Sequence, residues 1–223
     1  LRRISENYDI IVLVDSDDLL LPCRVERSKK FLEAHDLSGC ALELIDEEEK
    51  PLNISAGRKF DYSNDTLHSF LLYRNIFGFS NTAYRSSLLR QLLNNGLNSP
   101  LLDWNFATRS ASMGARISFD RVPGMLYRQH GKNIARILPP FDRDIVFLST
   151  LLVLEHLRGV LGLLPKDLLE IYEKRHNDVV FFHGRISAAP EVCNAYIEAV
   201  NTISEERYWW SFVANPALEE IWK

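Results

Sequence analysis

Cysteine is scarce in this sequence, which has three cysteines in 223 residues and no CxxC pair. Cys23, Cys40 and Cys193 are an odd number and lie far apart, so the sequence predicts neither a disulfide framework nor a zinc ribbon. A reducing compartment fits this usage best, and we expect a cytoplasmic protein.

The sequence also lacks an excess of basic residues and a long apolar run. Lysine and arginine total 26 against 30 aspartates and glutamates, which gives a net charge of -4. Nonspecific binding to nucleic acid depends on neutralising phosphates, so this balance argues against a nucleic-acid partner. The longest apolar run, residues 145–154, is too short for a membrane span. No signal peptide is recognisable, and we expect a soluble protein.

The first fifty residues do contain an apolar strand that ends in acids. Residues 10–14 are an unbroken run of isoleucine, leucine and valine, typical of a strand covered on both faces, as in a parallel sheet. We predict a helix from Pro22 to about His35, ended by Gly39, and a second strand at residues 41–45.

The remaining predicted elements divide the chain into two parts. They are a solvated turn at 46–49, helices at 66–73 and 86–93 (the second ending near Gly96), a helix with Asp103 at its N-cap and Gly114 at its end, strands at 116–119 and 122–127, and helices at 141–164, 165–185, 190–213 and after Pro216. We place a domain boundary between residues 1–138 and 139–223. The predicted fold class is α/β, with a mixed, mostly parallel sheet flanked by helices and an all-α C-terminal extension.

An acidic cluster stands where the first predicted strand ends. It contains Asp15, Asp17 and Asp18, and ligands of open α/β sheets bind at the carboxyl ends of strands. Three carboxylates in four residues repel one another and need a cation or solvent. Such oxygen ligands suit Mg²⁺ or Mn²⁺ shared with substrate phosphates. The alternative is that Asp17 or Asp18 caps the following helix or serves the turn.

Two segments of the chain resemble one known family. YDIIVLVDSDDLLLPCRVE, residues 8–26, looks like the metal-binding segment of family-2 glycosyltransferases of the GT-A fold. LLDWNFATRSASMGARISFDRVPGMLYRQHGKN, residues 101–133, is similar to the later half of the same family, where an acid before an aromatic opens a helix and a YRxHGxN segment follows a strand pair. The resemblance covers residues 8–136 and implies a GT-A-like fold for the first part of the chain.

The resemblance also implies a donor site and a divalent cation, Mn²⁺ or Mg²⁺. Asp17 would be the principal metal ligand, and Asp15 would contact the nucleotide ribose or assist at the metal. Asp18 would belong to the same donor-binding motif. His130 matches a histidine that approaches the metal or the diphosphate, and Arg128 matches a phosphate contact.

Asp103 matches the catalytic base of the family, which takes a proton from the acceptor hydroxyl. The implied reaction is an inverting, single-displacement transfer of a sugar from a nucleotide-sugar donor to a glycan or a lipid-linked acceptor. Cell-surface polysaccharide biosynthesis at the inner face of the cell membrane is the setting that this implies. As a helix N-cap, Asp103 would be stabilised as an anion, which weakens it as a base unless the acceptor desolvates it. A plain N-cap is the alternative role.

Members of the family carry a nucleotide-binding part before the acidic cluster. Here only fourteen residues precede Asp15. We therefore expect that the sequence is N-terminally incomplete relative to the family and that such a fragment binds its donor poorly. A non-catalytic GT-A remnant that acts as an interaction module through its helical tail is the alternative function. A Mg²⁺ phosphotransferase with Asp15 as its nucleophile is a weaker alternative.

Aromatic residues cluster near the C-terminus, and three interpretations stay open for them. They could dock a terminal helix onto the core, contact a second copy in a homodimer, or anchor the chain at a membrane surface. The residues are Tyr208, Trp209, Trp210 and Phe212. The segment 77–81 fits either an acceptor pocket or core packing. The histidines in helical patterns are predicted to be structural: His35, His68, His156, His176 and His183.

Overall fold

The structure is a computed structural model that describes residues 1–94, 99–131, 133–203 and 207–223, with all side chains among them except those of residues 64 and 65. Its elements in chain order are α1 (Arg2–Asn7), β1 (Ile10–Val12), β2 (Leu19–Leu20), α2 (Arg24–Leu32), β3 (Leu37–Ile45), β4 (Pro51–Ala56), α3 (Asn64–Leu71), β5 (Thr82–Arg85), α4 (Ser86–Asn94), α5 (Leu102–Ser112), β6 (Ile117–Arg128), α6 (Arg143–Leu161), α7 (Lys166–Ala188), α8 (Pro190–Thr202), a 3-10 turn (Pro216–Leu218) and α9 (Glu219–Trp222).

The strands form one mixed sheet in the order β1-β5-β3-β6-β2, and β4 also pairs with β3. Within the described residues, β3 and β6 are the only parallel pair, and every other pairing is antiparallel. A mixed α/β fold with a helical C-terminal region is therefore confirmed, but the prediction of a mostly parallel sheet is wrong. The expectation of a strand covered on both faces at residues 10–14 is also wrong, because β1 is a short strand at the end of the sheet in which only Ile11 is buried. Strand β5, which lies between β1 and β3, was not predicted.

Gly39 does not end a helix. The helix α2 stops at Leu32, and Gly39 lies inside β3, which begins at Leu37. A Cβ at Gly39 would come within 2.7 Å of the Phe119 ring and 2.9 Å of the Phe77 ring. The absent side chain therefore serves close packing in the sheet, a role that glycine also fulfils within strands.

The two strands predicted at 116–119 and 122–127 form one strand, β6. Its register against β3 shifts where Cys40 faces Asp120 and Ala41 faces Pro123. The extra residues at this point form a bulge, which explains why the sequence pattern is interrupted there. Past the bulge, β6 runs beside β3 to Arg128, so both strands finish at the same edge of the sheet.

The C-terminal helices are close to the prediction, although α8 ends at Thr202 and residues 208–214 form turns instead of continuing it. The predicted helix end near Gly96 lies outside the described residues. The four clustered aromatic side chains are buried, between 1% and 6% exposed: Tyr208, Trp209, Trp210 and Phe212. They dock onto the core, which confirms the first of the three interpretations. Buried apolar side chains form one connected cluster through both parts of the chain.

Within the described residues, none of the helices combines the length and the apolar character that a membrane span needs.

Candidate functional site

The acidic loop after β1 is fixed to the segment that precedes β5. Leu13 N donates to Thr82 O at 3.2 Å, and Asp15 N donates to the Ser80 hydroxyl at 2.8 Å. Asp18 N then donates back to Asp15 O at 3.3 Å and closes the turn. These backbone bonds leave the Asp15 and Asp17 side chains facing solvent.

Asp18 points inward and ties this loop to the end of β6. The residue is 8% exposed, and its Oδ1 accepts a hydrogen bond from Arg128 N at 2.9 Å. Burial, together with the charges of Asp17 and Asp15, raises the pKa of Asp18 to about 6. The Ser80 hydroxyl and the Arg128 N–H oppose this increase, because both stabilise the carboxylate.

Asp17 and His130 meet although 113 positions separate them in the sequence. His130 Nε2 lies 3.1 Å from Asp17 Oδ2. The Asp17 side chain is 45% exposed and that of His130 is 20% exposed, so the pair faces solvent and can be reached by a ligand. His130 N donates to Asn133 Oδ1 at 2.5 Å, which fixes the loop beyond β6.

Arg128 braces the acidic loop. Its Nε donates to Asp17 O at 2.7 Å, and its Nη1 donates to Glu47 O at 3.0 Å. Its Nη2 pairs with Glu49 Oε1 at 2.9 Å. Most donors of this guanidinium are thus engaged by main-chain carbonyls, and a phosphate at Nη2 would compete with Glu49.

Asp103 lies in the first turn of α5, but it is not the N-cap, which is Leu101. Its Oδ1 accepts from Trp104 N at 2.8 Å, and its Oδ2 accepts from the Asn75 amide at 3.2 Å. Burial raises the pKa of Asp103 to about 6, and the nearby Asp15 charge adds to the increase. The expectation of a stabilised anion with a weak base is therefore wrong, because burial outweighs the helix N-terminus here.

The predicted site residues thus converge on one end of the sheet. The charge of Asp15 raises the pKa of both Asp18 and Asp103. The Asp17 carboxylate is hydrogen-bonded to His130, and the Asp17 main-chain carbonyl accepts from Arg128. Sequence reasoning missed Asn75, Ser80 and Trp209 as neighbours of this site. Ser80 was within the segment 77–81, for which an acceptor pocket was one interpretation, and Trp209 was in the C-terminal aromatic cluster, which was not connected with this site, but Asn75 belonged to no motif.

The side chains at this site supply only part of the ligand set that a divalent cation needs. In the described ranges, no three His, Cys, Asp or Glu side chains are arranged to hold a metal ion by themselves. Asp17 and His130 offer two ligands, and Asp15 does not join them as a third. Mg²⁺ commonly takes one or two protein ligands and completes its shell with substrate phosphates and water. The pair fits a cation that arrives with a diphosphate.

Among the helical histidines, His156 is fully buried and its ring stacks on Trp104 at 4.3 Å between centroids. Burial lowers the pKa of His156 to about 3, so the ring is neutral at physiological pH. Trp104 follows Asp103 directly, and its indole N–H donates to Leu71 O at 2.8 Å. His156 therefore supports the helix that carries Asp103.

No protein-family model matches this chain, and no curated protein matches it either. The resemblance to family-2 glycosyltransferases therefore stays a prediction, and the functional argument depends on the geometry described above.

Proposed function

We propose that this chain carries the catalytic site of a metal-dependent, inverting glycosyltransferase that moves a sugar from a nucleotide-sugar to an acceptor hydroxyl. The observation that carries the proposal is the contact of Asp17 with His130 at 3.1 Å, in the loop whose Asp15 charge acts on Asp103. Asp17 and His130 belong to different segments that resemble the family and are 113 positions apart, and the fold brings them together.

The donor side would be formed by Asp17 and His130. These two side chains would hold a Mn²⁺ or Mg²⁺ ion together with the diphosphate of the donor. When bound, the ion would neutralise the charge that develops on the departing diphosphate. Arg128 and Asp18 hold the loop so that Asp17 stays opposite His130.

The acceptor side would be served by Asp103. The acceptor oxygen forms the new bond to the anomeric carbon as the bond to the diphosphate breaks, and its proton passes to Asp103. A carboxylate with a pKa of about 6 is mostly ionised at pH 7 and is a stronger base than an ordinary aspartate. Burial therefore suits Asp103 to this role.

Calorimetric titration with nucleoside diphosphates tests the donor side. We expect binding that requires Mn²⁺, and we expect Asp17→Ala to weaken it at least tenfold. The matched control is Asp61→Ala, since Asp61 is 82% exposed and pairs with Arg121 away from the site. Equal binding by wild type and Asp17→Ala would contradict the proposal.

Turnover tests the acceptor side. In Asp103→Asn, transfer from a bound nucleotide-sugar should fall by about 10²- to 10⁴-fold while diphosphate binding stays unchanged. A chain that binds no nucleoside diphosphate with or without Mn²⁺ would favour the alternative, an interaction module without catalysis.

A further inference from the structure

We propose that Asn75 is a positioning residue for Asp103, and that the C-terminal region holds Asn75 in place through Trp209. The role of Asp103 as a base rests on the proposed function, whereas the connection from Trp209 to Asp103 rests on contacts alone. The helical extension would then be a structural part of the site.

The side chain of Asn75 has one orientation available to it. The residue is fully buried, and its Oδ1 accepts from Phe77 N at 2.9 Å. That bond turns the amide nitrogen toward Asp103, and Nδ2 donates to Asp103 Oδ2 and to Phe77 O, both at 3.2 Å. A flipped amide would place its oxygen against a carboxylate oxygen and its nitrogen against an N–H, so the donor to Asp103 is fixed.

The main chain of Asn75 is fixed by the C-terminal region. Asn75 N donates to Trp209 O at 3.0 Å, in an isolated bridge between two segments that are not strands. A bridge of one residue has no neighbouring ladder bonds to support it. The position of the Asn75 main chain therefore depends on how Trp209 is packed.

The indole of Trp209 packs between two walls of the site. It is 3% exposed, and a Cβ added to Gly78 would come within 2.8 Å of it. Its ring meets that of Tyr127 edge to face at 5.3 Å between centroids, and Tyr127 precedes Arg128 on β6. Trp209 thus contacts the loop that follows Asn75. It also contacts strand β6, whose last residue, Arg128, is hydrogen-bonded to the acidic loop.

The amide of Asn75 opposes the effect of burial on Asp103. A donor to a carboxylate favours the charged form. The ionisable groups that act on Asp103 from the loop after β1, from β5 and from β6 are all acids, within the part of the chain that the structure describes: Asp15, Tyr84 and Tyr127. Removing the amide would leave Asp103 Oδ2 without this donor and free the carboxylate to rotate. Both the orientation and the pKa of the Asp103 carboxylate would change.

The test measures the pKa of Asp103 by carboxyl ¹³C NMR, assigned with Asp103→Asn, in protein without donor or acceptor. We expect Asn75→Ala to raise it by about one unit, because a hydrogen bond to a charged group of ordinary strength is lost. Asn75→Asp keeps the acceptor for Phe77 N and puts a like charge beside Asp103, so it should raise the pKa further. In both variants kcat should fall more than KM rises.

Trp209→Ala should raise the pKa of Asp103, as Asn75→Ala does. Trp209→Phe should raise this pKa by a smaller amount than Trp209→Ala. Trp222→Ala is the matched control, because Trp222 is equally buried in the C-terminal region but packs on Phe182. An Asp103 pKa that does not move in Asn75→Ala would overturn the proposal, as would equal shifts in the two tryptophan-to-alanine variants. If the pKa moves but no transfer is found with any donor, the contact stands and the proposed function fails.

Discussion

The sheet region and the helical C-terminal region both bury ionisable side chains, but they surround them differently. In the helical region, Arg175 is 2% exposed, donates to Val213 O at 2.8 Å and to Ala214 O at 2.9 Å, and lies over the Tyr73 ring. Burial lowers its pKa to about 10, so it stays charged at pH 7. In the sheet region, burial and the charge of Asp15 raise the pKa of Asp103, which lies on α5, to about 6.

The two environments have different effects on the charge of an ionisable side chain. A buried cation whose partners are carbonyl dipoles keeps its charge, and those carbonyls are fixed in return. A half-buried carboxylate near a like charge has a pKa closer to neutrality, so both of its protonation states are accessible. The first arrangement holds the turn at residues 208–214 against α7, and the second suits acid–base chemistry.

Removing the buried cation should have the largest effect on stability. Arg175→Met leaves Val213 O and Ala214 O without donors, and we expect the free energy of unfolding to fall by about 3 kcal/mol in urea denaturation. Arg158→Met is the control, because Arg158 is exposed on α6 and should change stability by less than about 0.5 kcal/mol. Similar values for the two variants would mean that Arg175 does not hold the turn.

Neutralising the half-buried Asp103 should raise stability instead. Between pH 4 and pH 6 an unfolded aspartate loses its proton while Asp103 keeps it, so this residue lowers stability as pH rises through that window. At pH 7 we expect Asp103→Asn to be about 2 kcal/mol more stable than wild type, with the difference disappearing near pH 3. Urea denaturation at several pH values measures this. A constant difference across pH would show that the pKa of Asp103 is not raised.

Replacing a glycine by alanine should lower stability in the sheet and raise it in the helical region. Gly39→Ala would force a methyl group against Phe119 and Phe77 inside β3 and lower stability by roughly 1 kcal/mol or more. Gly184 lies exposed in α7 with open space around it, and Gly184→Ala should raise stability by about 0.5–1 kcal/mol. Thermal unfolding of both variants tests the pair, and a stabilising Gly39→Ala would mean that β3 and β6 are not closely packed.

Local patterns in the sequence predicted part of this architecture. The helices of the C-terminal region were predicted to within a few residues at most ends, because their apolar periodicity and the prolines that precede them are local signals. The motif residues were also predicted to lie together, and Asp17 and His130 do. Strand β5 was missed because its partners β1 and β3 are distant in the chain, whereas β4, which pairs with the preceding strand, was missed because most of its residues are exposed and give no apolar pattern. Asn75 could not be found, because its role depends on Trp209, 134 positions further along.

The pairing of β3 has a consequence for how this molecule can diversify. On one side β3 pairs with β5 near its start and with β4 near its end, and at the point between them Cys40 exchanges hydrogen bonds with Asn81. The turn before β4 contacts Arg128, whereas the segment before β5 holds Asp103 through Asn75. Under the proposed function, insertions in the β3–β4 hairpin would reach the donor side through Arg128 and leave the contact of Asn75 with Asp103 in place. The segment before β5 serves both sides, because Ser80 also accepts from Asp15 N, so changes there would affect the acidic loop and Asp103 together.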